Sequence, residues 1–365
     1  MKKNFIGIIL LCCVICSCSK SSNTAPPSSV QSLQAVGTLQ LPLPRYKPAA
    51  VFIGKKIYIV GDGFQTNAAP NIDIFDIPSA TWSKIPSITN SYAFASATGN
   101  ASLGIIAGSF ITNTNTADGH ILLIDNNNNT STVAAAAVRR TAMGAATLDN
   151  ISYFAGGSSA PDYAHASGEV DAYDQTSQTW ASPHFLSTAR IFPQVIGINK
   201  KVMIAGGTDF NGAQTYAIDI LDAPSNSWST AALSVKRAGF TIAAAANKIY
   251  LAGGVDPALN KMSDVIDVYD TQTAYWSVIH LPVARTGVCA ATIGNLVVFA
   301  GGTATGAQYT DEVDYYNVVT NSWGSTKLSV ARGFSCAVVA NNKLYVIGGT
   351  SANGASNTID VFSLN

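Results

Sequence analysis

One feature constrains this chain above all others: it repeats itself, with a step that stays between 46 and 50 residues. Apolar segments ending in glycine recur as Ile57–Gly61, Leu103–Gly108, Ile151–Gly157, Val202–Gly207, Ile249–Gly254, Leu296–Gly302 and Leu344–Gly349. An arginine keeps the same step at Arg45, Arg140, Arg190, Arg237, Arg285 and Arg332, with Tyr92 in the second slot. Two acidic or amide columns follow: Asp73 with Asp76, Asp171 with Asp174, Asp219 with Asp222, Asp267 with Asp270, and Asp314 with Asn317. Tryptophan comes next, at 82, 180, 228, 276 and 323, and these are all five in the chain. Units of this size cannot bury an apolar face alone, so they stack on one another. Stacking also explains how 365 residues escape the size limit of a single core. The 47% hydrophobic and 12% charged content suits many short, buried strands and excludes a disordered chain.

Arg, an apolar strand, a tight turn, a strand ending Gly-Gly, then a Tyr-Asp strand and a Trp strand: this unit resembles the kelch repeat. The resemblance covers residues 36–365, in units near 41–88, 89–136, 137–185, 186–232, 233–280, 281–327 and 328–365. It implies an all-β, seven-bladed β-propeller with four antiparallel strands per blade, a to d. In the fifth unit strand a is read as Gly239–Ala246, the turn as Asn247-Lys248, strand b as Ile249–Ala252, strand c as Val265–Tyr269, and strand d around Trp276. Tryptophan is expected to fill the gap between blades. The second unit, with Tyr92, Ala107-Gly108, Asn126–Asn129 and no Trp, reads as a degenerate blade. The seventh stops at strand c, Ile359–Leu364, so its strand d is expected from Gln34–Leu41, joining the chain ends and removing open edges.

The N-terminus reads as an address. Met1-Lys2-Lys3 precedes an apolar run over residues 5–15, too short to span a bilayer. Ile15-Cys16-Ser17-Cys18 resembles the bacterial lipobox, which implies a signal peptide over 1–17 and lipidation of Cys18. Residues 18–35 are Ser/Pro-rich and read as a flexible tether. The expected place is the bacterial cell envelope, anchored by lipid, at the outer membrane. Without residues 1–17 the chain has 19 basic and 21 acidic side chains, net −2, and no footprint for nucleic acid. A monomer is expected.

The a–b and c–d turns are short and share one face; the b–c and d–a connections are longer and share the other, where binding is expected. Two readings of the arginines are open. They ring the channel mouth and bind an anionic group, or each pairs with a carboxylate or carbonyl of its own or a neighbouring blade. Phe64, Phe110, Tyr163, Phe210, Tyr216 and Tyr309 on the long loops stack on sugars or pack the loops.

Copper radical oxidases resemble such propellers, but need His and Tyr ligands and a Tyr–Cys link. His120, His165, His184 and His280 fall at unrelated repeat positions, and Cys289 and Cys336 read as small buried residues of strand a. No metal and no cofactor are expected. A second resemblance, to sialic-acid mutarotases, needs a proton donor and acceptor. Glu169 and Glu312, the two glutamates of the chain, are the candidates. The expected function is a non-catalytic binding propeller for a protein or glycan; the alternative is a sugar-acid mutarotase or epimerase.

Overall fold

The computed structural model describes residues 31–365 apart from 62–70, 86–93, 109, 112–115, 118–119, 128–129, 135–138, 161–163, 257–258, 260 and 307. The signal segment, Cys18, most of the tether, Phe64, Tyr92, Tyr163 and the Phe110 side chain lie outside the described residues.

Turn chemistry sets the hairpins. Asn199-Lys200, Ala246-Asn247 and Asn341-Asn342 each have positive φ at both positions. This is the type I′ turn, whose twist matches that of the strands it joins. In the fifth unit the turn is therefore Ala246-Asn247 and not Asn247-Lys248; Lys248 already pairs with Ala245. The c–d turns are capped by the second acidic column. Asp174 Oδ1 accepts from the N–H of Thr176 at 2.7 Å and of Ser177 at 3.2 Å. Asp270 Oδ1 does the same for Gln272 and Thr273, both at 3.0 Å. The side chain thereby supplies the turn's missing acceptor.

Each unit forms one antiparallel sheet in the order a-b-c-d. Blade 5 is Thr241–Ala245, Lys248–Ala252, Val265–Asp270 and Trp276–His280. Blade 2 is present with all four strands despite its departures: Ser96–Gly99, Leu103–Ala107, His120–Asp125 and Thr130–Ala134. Burial follows position in the sheet. Strand b of blade 5 is buried at every residue after Lys248, whereas strand d alternates between half-buried and exposed. Strand b is covered on both faces by neighbouring blades, so it reads as a continuous apolar run.

Seven apolar clusters fill the seven seams between blades. Between blades 4 and 5, Met203, Ile218 and Leu233 meet Ile249, Leu251 and Tyr269, with Trp276 against them. Trp276 stacks on Tyr269 at 4.8 Å between ring centroids, so tryptophan fills seams as expected. The Gly-Gly pair has a packing reason too. Gly253 and Gly254 have φ of 70° and 109°, and a Cβ on Gly253 would stand 2.5 Å from the carbonyl oxygen of Arg285 in the next blade. The Gly254 N–H donates to that same carbonyl at 2.7 Å. Gly157 reaches Arg190, Gly302 reaches Arg332, and Gly349 reaches Arg45 in the same way, each at 2.9 Å. The glycine and arginine columns thus interlock from blade to blade.

The last of these bonds runs from blade 7 to blade 1. Blade 7 takes its strand d from Leu33–Arg45, antiparallel to Gly354–Leu364 with Gln34 opposite Ser363 and Leu39 opposite Ile359. Leu33 and Leu41 are buried there. The first and last strands of the propeller close the ring together.

Candidate functional site

The six arginines sit inside the blades, and every guanidinium pairs with the first acidic column. Arg45 meets Asp73 at 2.7 Å, Arg190 meets Asp219 at 2.6 Å, Arg237 meets Asp267 at 2.8 Å and Arg332 meets Asp360 at 2.6 Å. Arg140 and Arg285 pair with Asp171 and Asp314. All six arginines are at most 2% exposed. Backbone carbonyls take further donors, as Arg332 shows with Gly348, Val330 and Val346, whereas the Nε of Arg140, Arg190, Arg237 and Arg285 is buried without a hydrogen bond. Burial lowers the pKa of Arg190, Arg237 and Arg285, and their aspartates oppose that shift. Of the two readings open in the sequence, the geometry matches pairing within the blade. None of the six lines the central channel.

Glu169 and Glu312 begin strand c in blades 3 and 6. Their backbone carbonyls accept from Arg140 at 2.8 Å and Arg285 at 2.9 Å. The Glu169 carboxylate lies 3.8 Å from Arg140 Nε, and its Oε2 is buried with no hydrogen bond. The Glu312 carboxylate pairs with Lys327 at 3.3 Å. The two share no partner and act in separate blades.

The face bearing the b–c and d–a connections gathers apolar surface. Among the described residues, thirteen large hydrophobic side chains are exposed, and eight are on this face. Four of them, Leu43, Val235, Val283 and Val330, stand two residues before a repeat arginine, on the consecutive blades 1, 5, 6 and 7. Arginines hold two of the four in place, since the carbonyls of Val235 and Val330 accept from their own Arg237 and Arg332 at 3.3 and 3.1 Å. Leu259, Phe210, Tyr216 and Phe192 complete the set; Leu259 is 72% exposed. Lys236 Nζ stands 4.6 Å over the Tyr216 ring. Several b–c loops are short two-stranded ribbons, such as Thr303–Ala304 with Gln308–Tyr309, and so present their tips on a fixed base.

A third column lies two residues after each arginine and, in blade 2, after Tyr92: Lys47, Phe94, Ala142, Phe192, Gly239, Gly287 and Phe334, every one with positive φ. Backbone bonds link it from blade to blade. Ala142 N–H donates to Phe94 at 3.2 Å, Phe192 to Ala142 at 2.8 Å, Gly287 to Gly239 at 3.0 Å and Phe334 to Gly287 at 2.7 Å. The turn this φ makes leads the chain into strand a, and the side chains of Lys47, Phe192 and Phe334 in this column line the channel. Phe94 and Phe192 meet edge to face at 5.1 Å. Lys47 Nζ stands 5.0 Å from the Phe334 ring, 5.4 Å from Tyr46 and 5.7 Å from Phe192, three blades away. Burial holds its pKa below the ordinary lysine value. Beneath, strand a of all seven blades lines a channel of ≈ 740 Å³. The sequence reading missed this column because its residue types differ from blade to blade; constant spacing from the arginine was the signal.

Residues 239–365, the last three blades, match the KLHDC2/KLHL20/DRC7 Kelch-repeats domain. No curated protein matches the chain. Among solved structures, that of YjhT is similar over 89% of this chain and 99% of its own, with a TM-score of 0.58 and 14% identity. At that identity the likeness is one of fold. The chain is a seven-bladed β-propeller whose last three blades match a kelch-repeat domain.

Proposed function

We propose that this protein is a lipid-anchored envelope propeller that binds a protein or glycan through its b–c/d–a face without catalysis. The observation that carries the reading is the concentration of exposed apolar side chains there, along the arc from Leu43 through Val330 and Val283 to Val235. Apolar surface gathered on one face of a rigid scaffold marks an interaction site, and aliphatic side chains without hydrogen-bonding tips favour a protein. The anchor belongs to the same proposal: lipid on Cys18 and the tether over 18–35 hold the propeller at the bacterial outer membrane.

The test is a glycan and sugar-acid array probed with the full chain beside a Val283→Asp/Val330→Asp variant. Binding lost in the variant supports the face; binding retained counts against it. The sugar-acid mutarotase is kept second, on one observation: the buried, unbonded Oε2 of Glu169 beside Arg140. Anomeric exchange measured by NMR on any sugar acid that binds separates the two readings.

A further inference from the structure

The channel has a chemistry that the outer face does not require. Its ≈ 740 Å³ falls within the size range of small-molecule pockets. Its wall is built from small apolar side chains of strand a, among them Ala50, Ala97, Ala145, Ala290 and Ala337. Polar side chains line it as well, Gln194, Gln214 and Thr241 among them, while three of its hydroxyls are spent within the protein. Ser96 donates to the Met143 carbonyl, Thr286 to Gly239 at 3.1 Å and Ser335 to Gly348 at 2.8 Å. Among the described residues, the one charged group that lines this space is the Lys47 ammonium. It rests on the rings of Tyr46, Phe192 and Phe334, with no carboxylate of the described residues in contact.

Aromatic faces offset part of the cost of desolvating an ammonium. A carboxylate offsets more, because a hydrogen bond between charged groups is among the strongest a protein makes. Whatever carries that carboxylate must then meet ring faces and alanine walls. A sugar would find few polar partners there, the Gln194, Gln214 and Thr241 side chains among them, and would bury its other hydroxyls at a cost. A dianion would leave its second charge unpaired.

We propose that the channel mouth binds an amphipathic monocarboxylate, its carboxylate on Lys47 Nζ and its apolar body framed by Phe94, Phe192 and Phe334 as it enters the channel. The site stands apart from the reading of the outer face, and neither result depends on the other.

The test uses isothermal titration calorimetry on the full chain with naphthalene-2-carboxylate and its neutral counterpart, 2-naphthylmethanol. The carboxylate binds one per chain and roughly tenfold or more tightly than the alcohol, the share expected of one charged hydrogen bond. Lys47→Met abolishes the difference and Lys47→Arg keeps it, with melting temperatures confirming that both variants are folded. Equal affinity of the unaltered protein for the two probes, or binding of neither, overturns the proposal whatever the variants do. So does a Lys47→Met protein that still prefers the carboxylate.

Discussion

Arg332 spends its guanidinium on four acceptors: the Asp360 carboxylate and the carbonyls of Gly348, Val330 and Val346. At 0% exposure it has no surface to offer a ligand. Such a group ties strand c, the end of strand b and the d–a connection into one knot, and it is costly to cut. Replacing Arg237 by Ala strands the buried Asp267 carboxylate and is expected to lower stability by about 3–5 kcal/mol. Lys236→Ala, on the neighbouring surface residue, changes it by less than about 0.5 kcal/mol. Urea unfolding midpoints of the two variants measure the difference. The arginine column and its aspartate column were both legible in the sequence, and pairing was one of two roles open to them. Which way a guanidinium turns was not legible, because spacing fixes a residue's place on a strand and not the direction of a long side chain. Lys47 was missed for a related reason. Its column is defined by backbone conformation, which Lys, Phe, Ala and Gly all adopt here.

The c–d hairpin is the element most open to titration. Asp76 is held below the ordinary carboxylate range by the Ser79 hydroxyl, Asp174 and Asp270 by backbone N–H groups, and Asp222 by the Ser225 hydroxyl. A carboxyl with a lowered folded-state pKa contributes stability above its unfolded pKa and loses it as pH falls. Asp314 runs the other way: burial raises its carboxyl, so it favours the folded state as pH falls. With four turn carboxylates against one, the melting temperature is expected to hold between neutrality and about pH 5 and to drop below about pH 4. Asp270→Asn keeps an acceptor but cannot titrate, and flattens part of that drop. An acid profile identical to that of the unaltered protein would remove Asp270 from the account. The strands and their short turns were legible because apolar runs, Asn-rich turns and Trp recur in phase. The ribbons within the b–c loops were not. Two-residue strands such as Thr303–Ala304 have too few residues to show a period.

At the scale of the whole molecule, the count of seven blades followed from the step of the repeat. Ring closure followed from a unit that lacked its last strand, and Leu33–Arg45 supplies it. Loop length pointed to the b–c/d–a face, but the arc of Leu43, Val330, Val283 and Val235 emerges only when four d–a connections are brought together on consecutive blades. The opposite face offers Tyr275 and Val319, exposed singly on separate turns. The central claim is that partners dock on the first of these faces. The most direct measurement places photo-reactive benzoylphenylalanine at Val283 or Val330, and separately at Tyr275 or Val319, in the full chain expressed in cells. The account predicts a defined cross-linked adduct from Val283 and Val330 and none from Tyr275 and Val319; adducts confined to the second pair, or equal from both, would contradict it.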